Sequence, residues 1–166
     1  MNIDFGSGFG VIADYVAKNN DVTAIEPDEE ILKHRFCNNK YSQIVGGIEQ
    51  LRKIPDQTYD MIICHNVFEY LDNRTELLCE FSRVLRPDGF VSVVKHNKAG
   101  KIMHKAVFEY KIDEAKELLN NGNATSVNFG KINEYDNCDL EQYSEGLLKL
   151  IKFTVCECSL LCKETN

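Results

Sequence analysis

Short apolar runs bounded by glycine or polar residues alternate along the chain with longer stretches in which apolar residues recur every three or four positions. Residues 1–5 read as a short buried strand entering a glycine loop, and residues 9–18 have the spacing of an amphipathic helix. Residues 21–26 predict a second strand, followed by a helix over 28–37 whose first turn suits Pro27 and the acids after it. A third strand is expected at 41–45 and a fourth at 59–64, where Met61-Ile62-Ile63-Cys64 has the continuous apolar character of a strand covered on both faces. Residues 73–85 predict a helix with Leu77, Leu78, Phe81, Val84 and Leu85 on one side. Arg86-Pro87-Asp88-Gly89 then predicts a turn, and 90–95 a fifth strand. Strands and helices in this order imply right-handed crossovers and an α/β fold, a doubly wound, mostly parallel sheet flanked by helices.

The second half is less regular. Residues 99–121 predict one or two helices, 122–137 a polar excursion, and 139–148 a helix capped by Asp139. Residues 150–161 are strand-like and would extend the far side of the sheet, with little room for two antiparallel strands. Internal repeats and linkers are absent, and 166 residues suit a single domain over 1–166.

Composition narrows the classes. Hydrophobic residues at 43% and charged residues at 27% describe a globular chain, and no apolar run is long enough to span a bilayer. The start lacks a basic segment followed by an apolar one, so a cytoplasmic location is expected. Seven cysteines, an odd number scattered through apolar segments, read as reduced and mostly buried thiols. Cys156, Cys158 and Cys162 lie close together but contain no CxxC pair and no neighbouring histidine, so no metal is expected. A net charge of -7 opposes broad capture of nucleic acid. One basic stretch stands out, Lys95, Lys98, Lys101, Lys105 and Lys111 with His96 and His104. Glu109, Asp113 and Glu114 interleave with it, as on a solvated helix face.

The chemistry-bearing pattern is a strand ending in Asp4, a loop Gly6-x-Gly8-x-Gly10 opening a helix, and an acid, Glu26, ending the next strand. Glycines let backbone approach a ligand closely, and an acid one strand later is placed to accept hydrogen bonds from ribose hydroxyls. The nicotinamide dinucleotide fingerprint G-x-G-x-x-G would require glycine where Val11 stands, which disfavours an oxidoreductase. Asp4 also fits poorly beside a pyrophosphate and suits a ligand carrying an ammonium and a sulfonium.

On these residues the sequence resembles the class I S-adenosylmethionine-dependent methyltransferases, which are Rossmann-like, from Met1 to about Asn97. Asp4-Phe5-Gly6-Ser7-Gly8-Phe9-Gly10 is similar to the family's first motif, and Ala24-Ile25-Glu26-Pro27-Asp28 to its ribose-binding strand end. Gly46-Gly47-Ile48-Glu49-Gln50-Leu51 is similar to its adenine loop. Residues 59–71 resemble the fourth strand and its following turn, and 84–90 the entry to the fifth. The resemblance implies that Gly6 and Gly8 approach the methionine part of the cofactor and that Glu26 holds the ribose. It also implies that Gly47 and Ile48 lie against adenine, and that Cys64 and His65 line the sulfonium end. Asp4, Ser7, Gly10 and Pro27 belong to the same set. His65 also reads as a histidine satisfied by local backbone, and Cys64 as a buried strand residue contributing backbone alone.

Residues 96–107 are similar to bacterial methyltransferases acting on the carboxyl-bearing wobble uridine of tRNA, which makes tRNA a further possible partner. Family members often carry an acid where Gly47 stands, and helices before the first strand that cover the cofactor. Their absence here suggests a truncated chain, or one covered by a partner subunit or a second copy. Two readings follow: a methyltransferase acting on a small molecule or modified nucleoside, or a non-catalytic cofactor-binding remnant serving as a regulatory or assembly partner. A carboxylate acceptor needs no base. A neutral nitrogen or hydroxyl acceptor needs a proton sink, for which His65 and His96 are nearest in sequence.

Overall fold

The computed structural model describes residues 1–121, 123–126, 130–133, 142–153 and 158–163. Its centre is β1 (Asn2–Phe5), paired in parallel on one side with β2 (Val22–Glu26) and on the other with β4 (Tyr59–His65). β3 (Ser42–Val45) extends the sheet beyond β2, and β5 (Leu85–Val94) extends it beyond β4, both in parallel. Two further strands, β8 (Leu148–Phe153) and β9 (Cys158–Lys163), complete a seven-stranded sheet of order β3-β2-β1-β4-β5-β9-β8. β9 runs antiparallel to β5, and β8 antiparallel to β9. The expected single strand-like stretch at 150–161 is therefore a pair of antiparallel strands. They fit because the first begins at Leu148, inside the stretch expected to be helical. Asp139, the expected cap of that helix, and Cys156 lie outside the described residues. The polar excursion contains a separate hairpin of β6 (Asn123–Ser126) and β7 (Gly130–Asn133).

The period-2 alternation of the strands divides the core between two faces. Ile3, Phe5, Ile25, Ile62 and Cys64 point to one side and meet α3 (Ile48–Leu51) and α4 (Arg74–Val84). Asn73 starts α4 by accepting the Glu76 N–H at 3.1 Å, and Leu77, Leu78, Phe81 and Val84 form its buried stripe. Phe81 stands edge-on to Phe5 and Phe68, with centroids 5.4 and 6.4 Å apart. On the opposite face Val22 and Ala24 receive Ala13 of α1 (Val11–Val16), and the small side chains bring this six-residue helix close to the sheet.

Two further elements differ from expectation. The helix expected over 28–37 shrinks to α2 (Glu29–Leu32), although Asp28 caps it through the N–H groups of Glu30 and Ile31. It buries no residue against the sheet, so packing does not prolong it. The chain turns back instead, and Phe36 N–H donates to the Phe9 carbonyl at 2.7 Å. The turn expected at 86–89 forms inside β5: Tyr59 pairs with Leu85 and Met61 with Phe90, so four residues bulge opposite Asp60. Beyond β5 the chain forms α5 (Lys98–Met103), a π-helical turn His104–Phe108 and α6 (Ile112–Asn121). Phe81→Ala is expected to lower the unfolding free energy by about 3–5 kcal/mol in urea denaturation, because its buried ring joins β1 to the turn after β4.

Candidate functional site

Parallel pairing brings the loops following β1, β2, β3 and β4 to one edge of the sheet, where such folds place their ligands. Together with the segment after β5 they surround a cleft of about 1110 Å³. Gly6, Gly8, Glu26, Pro27, Gly47, Ile48 and His65 all line it. Asp4, Ser7, Gly10 and Cys64 belong to the same strand ends and loop but do not line it.

The glycine loop is shaped by its neighbours. Gly6 and Ser7 donate to the Ile25 carbonyl at 2.9 and 3.1 Å, which ties the loop to the end of β2. Gly6 has φ of 72°, and a Cβ there would collide with the Val67 side chain, so two independent constraints demand glycine. Glu26 is 7% exposed and stitches adjacent loops together: one carboxylate oxygen accepts the Gly8 N–H at 2.8 Å, the other the Asp28 N–H at 3.0 Å. Each oxygen keeps a further lone pair for a donor arriving in the cleft.

Asp4 lies below this loop on the α1 face of the sheet, 2% exposed, and its Oδ2 has no hydrogen-bond partner among the described residues. Burial pushes its carboxyl up to about 7; a backbone hydrogen bond from Ala13 opposes the shift and the Glu26 charge adds to it. Cys64 is fully buried, and burial, followed by the Asp4 and Glu69 charges, holds its thiol well above the ordinary range. It is an inert core thiol facing away from the cleft. His65 is partly buried beside the cleft, with Nε2 3.0 Å from Ser92 Oγ, and burial lowers its pKa. At Gly47 the nearby acid, Glu49, turns back to accept the Gly47 N–H at 2.8 Å and does not line the cleft.

One wall of the cleft carries no motif in the sequence. Asn66, Val67, Tyr70 and Leu71 follow β4 and line the cleft, and Asn66 adopts φ of 56° while donating to the Val94 carbonyl at 2.8 Å. Glu69, in a segment that reads as a surface turn, is completely buried. Its alternation with Phe68 and Tyr70 offers no signal of that burial. The basic stretch also contributes, through Lys101, His104 and Lys105. Acidic partners occupy part of it: Lys105 pairs with Glu114 at 2.7 Å, and Lys111 and His104 with Glu109 at 3.1 Å each. No described helix is long and apolar enough to cross a membrane.

Residues 3–93 match the family described as Methyltransferase domain. The chain is 26% identical over 127 residues to thiol S-methyltransferase TMT1A of Homo sapiens, covering 72% of this chain and 52% of the relative. It is 27% identical over 116 residues to the ubiquinone biosynthesis O-methyltransferase of Rickettsia bellii, covering 65% and 48%. The chain thus spans about half the length of the curated relatives it matches. A solved SAM-dependent methyltransferase from Methanosarcina mazei superimposes with a TM-score of 0.70 at 17% identity, over 98% of this chain and 91% of that one, which shows a shared fold.

Between about pH 4 and pH 7 the folded chain keeps a proton on Asp4 that the unfolded chain has released, so this group makes stability fall as pH rises through that window. The melting temperature of the free protein is expected to drop from about pH 5 to about pH 8, and Asp4→Asn to drop less, in scanning fluorimetry.

Proposed function

The chain belongs to the methyltransferase-domain family, and from that premise we propose that it transfers a methyl group from S-adenosylmethionine to a small apolar acceptor. The observation that carries the reading is Glu26, a buried carboxylate that faces the cleft while holding the glycine loop by its Gly8 N–H. S-adenosylmethionine, the cofactor of this family, supplies an activated methyl group on a positively charged sulfur, with a neutral thioether as leaving group.

The residues present fit such a group. Glu26 accepts the ribose hydroxyls through its remaining lone pairs. Gly47 and Ile48, with Pro27, lie against adenine. Gly6 and Gly8 give the methionine part a close backbone surface, and the unpartnered Oδ2 of Asp4 supplies negative charge for its ammonium. Gly10 and Ser7 fix the loop's path; Cys64 contributes the backbone that leads to His65. His65, whose burial favours the neutral ring, borders the reacting end without opposing a positive sulfur.

Phe9, Ile31, Val67, Tyr70, Leu71 and Leu77 give the rest of the cleft an apolar lining, suited to excluding water and aligning a displacement that needs little chemical assistance. The apolar walls favour a small hydrophobic acceptor over a nucleic acid, as does the pairing of Lys105 and Lys111 with acids. The relatives are named for thiol methylation and for oxygen methylation in ubiquinone biosynthesis, and an acceptor carrying S–H or O–H fits this cleft.

Calorimetric titration with S-adenosylhomocysteine tests the reading. Saturable binding is expected, weakened about 10-fold to 100-fold in Glu26→Ala, since a charge-assisted hydrogen bond contributes about 1.5–3 kcal/mol. NAD is expected not to bind. Equal affinity of the two chains would remove Glu26 from the site.

A further inference from the structure

Glu69 and His96 form a pair that cofactor binding leaves unused. Glu69 lies in the turn Phe68–Tyr70 after β4 and is 0% exposed. Its Oε1 accepts the His96 backbone N–H at 2.7 Å, and its Oε2 has no hydrogen-bond partner among the described residues. The same Oε1 stands 3.5 Å from Nδ1 of His96, too long for a formed hydrogen bond but within ion-pair range if the ring is protonated. Nδ1 is buried and unpartnered, whereas the side chain as a whole is 40% exposed and lines the cleft. With Nδ1 turned inward to the carboxylate, the exposed edge of the ring carries Nε2.

Burying a carboxylate with an empty acceptor site is costly unless a partner gains charge during function. The turn after β4 and the strand end after β5 bring this group to the imidazole, which lines the cleft. Several other titratable groups of the cleft are engaged elsewhere: His65 with Ser92, His104 with Glu109, Lys105 with Glu114, Glu76 with Arg52, and Glu26 and Asp28 with backbone N–H groups. Lys95, buried beside the pair, donates to the His96 carbonyl at 3.4 Å.

We propose that His96 is the general base of the methyl transfer, with Glu69 as its positioning residue, and that the acceptor therefore carries a proton on oxygen or sulfur. This rests on the methyltransferase reading above. Glu69 holds the proton of the neutral ring on Nδ1, leaving the Nε2 lone pair toward the cleft. As the acceptor's oxygen or sulfur forms its bond to the methyl carbon, the carbon–sulfur bond of the donor breaks and its electron pair returns to sulfur. The acceptor's proton passes to Nε2. The positive charge lost from the donor sulfur then resides on the imidazolium, where Glu69 stabilises it, until solvent takes the proton.

Nuclear magnetic resonance of ring-labelled histidine decides this without turnover, with His96→Gln identifying the resonance. The neutral His96 ring is expected to carry its proton on Nδ1. Glu69→Gln, which keeps an oxygen for the backbone N–H, is expected to shift the neutral His96 ring toward the tautomer protonated on Nε2. A natural-chain ring protonated on Nε2, or a tautomer unchanged in Glu69→Gln, would overturn the proposal. In kinetics with catechol as probe acceptor, His96→Gln is expected to lose about 100-fold in kcat near neutral pH and to regain rate as pH rises. Its affinity for S-adenosylhomocysteine should stay within about twofold. Retained kcat in a variant that binds the nucleoside would overturn the base and leave the methyltransferase reading standing; loss of nucleoside binding by the natural chain would overturn both.

Discussion

The site depends on the parallel pairing of β1 between β2 and β4. Because three neighbouring strands run in the same direction, Asp4, Glu26 and His65 all arrive at one edge, and the loops leaving them must share the space above it. The backbone then ties the edge together: the glycine loop hangs from the Ile25 carbonyl, and Glu26 binds the N–H groups of both its own loop and the glycine loop. Val67 from the loop after β4 closes over Gly6 and excludes any side chain there. The cleft is therefore a consequence of topology, and Glu26 and the glycine loop in it are tied to the sheet by backbone hydrogen bonds.

Three acids at this edge illustrate how one environment separates roles. Glu26 meets backbone donors and remains accessible to a ligand. Asp4, two residues from the glycine loop and deprived of solvent, resists ionisation until a positive group arrives. Glu69, fully buried in the turn after β4, lies beside a histidine. Burial above all, and then the Asp4 and Glu69 carboxyls, raise the pKa of the Cys64 thiol, which keeps that cysteine protonated and chemically silent. An ammonium beside Asp4 and a proton-accepting ring beside Glu69 would give each unpartnered carboxyl oxygen a positive neighbour.

Much of this was legible in the sequence. The continuous run Met61-Ile62-Ile63-Cys64, the short apolar strand at residues 21–26 and the stripe on α4 revealed the parallel sheet, because burial imposes those patterns directly. The glycine loop and Glu26 were likewise visible from strand ends and spacing, whereas Gly47, Ile48 and His65, which line the cleft, followed from the family resemblance alone. The length of α2 was not, since propensity and a good Asp28 cap favour a helix that nothing in the core prolongs. The antiparallel pair β8 and β9 was obscured because the apolar residues of both merged into one run. Glu69 could not be found from sequence: its burial comes from tertiary packing of the turn after β4, and a glutamate flanked by aromatics has no periodic signature.

A crystal structure of the chain with S-adenosylhomocysteine tests the central claim most directly. The account expects the nucleoside in the cleft at the carboxyl ends of β1, β2 and β4, with both ribose hydroxyls on Glu26, the amino group on the Asp4 side and the sulfur facing the wall that bears His96. Nucleoside bound elsewhere, or bound in the cleft with its ribose away from Glu26, would contradict it.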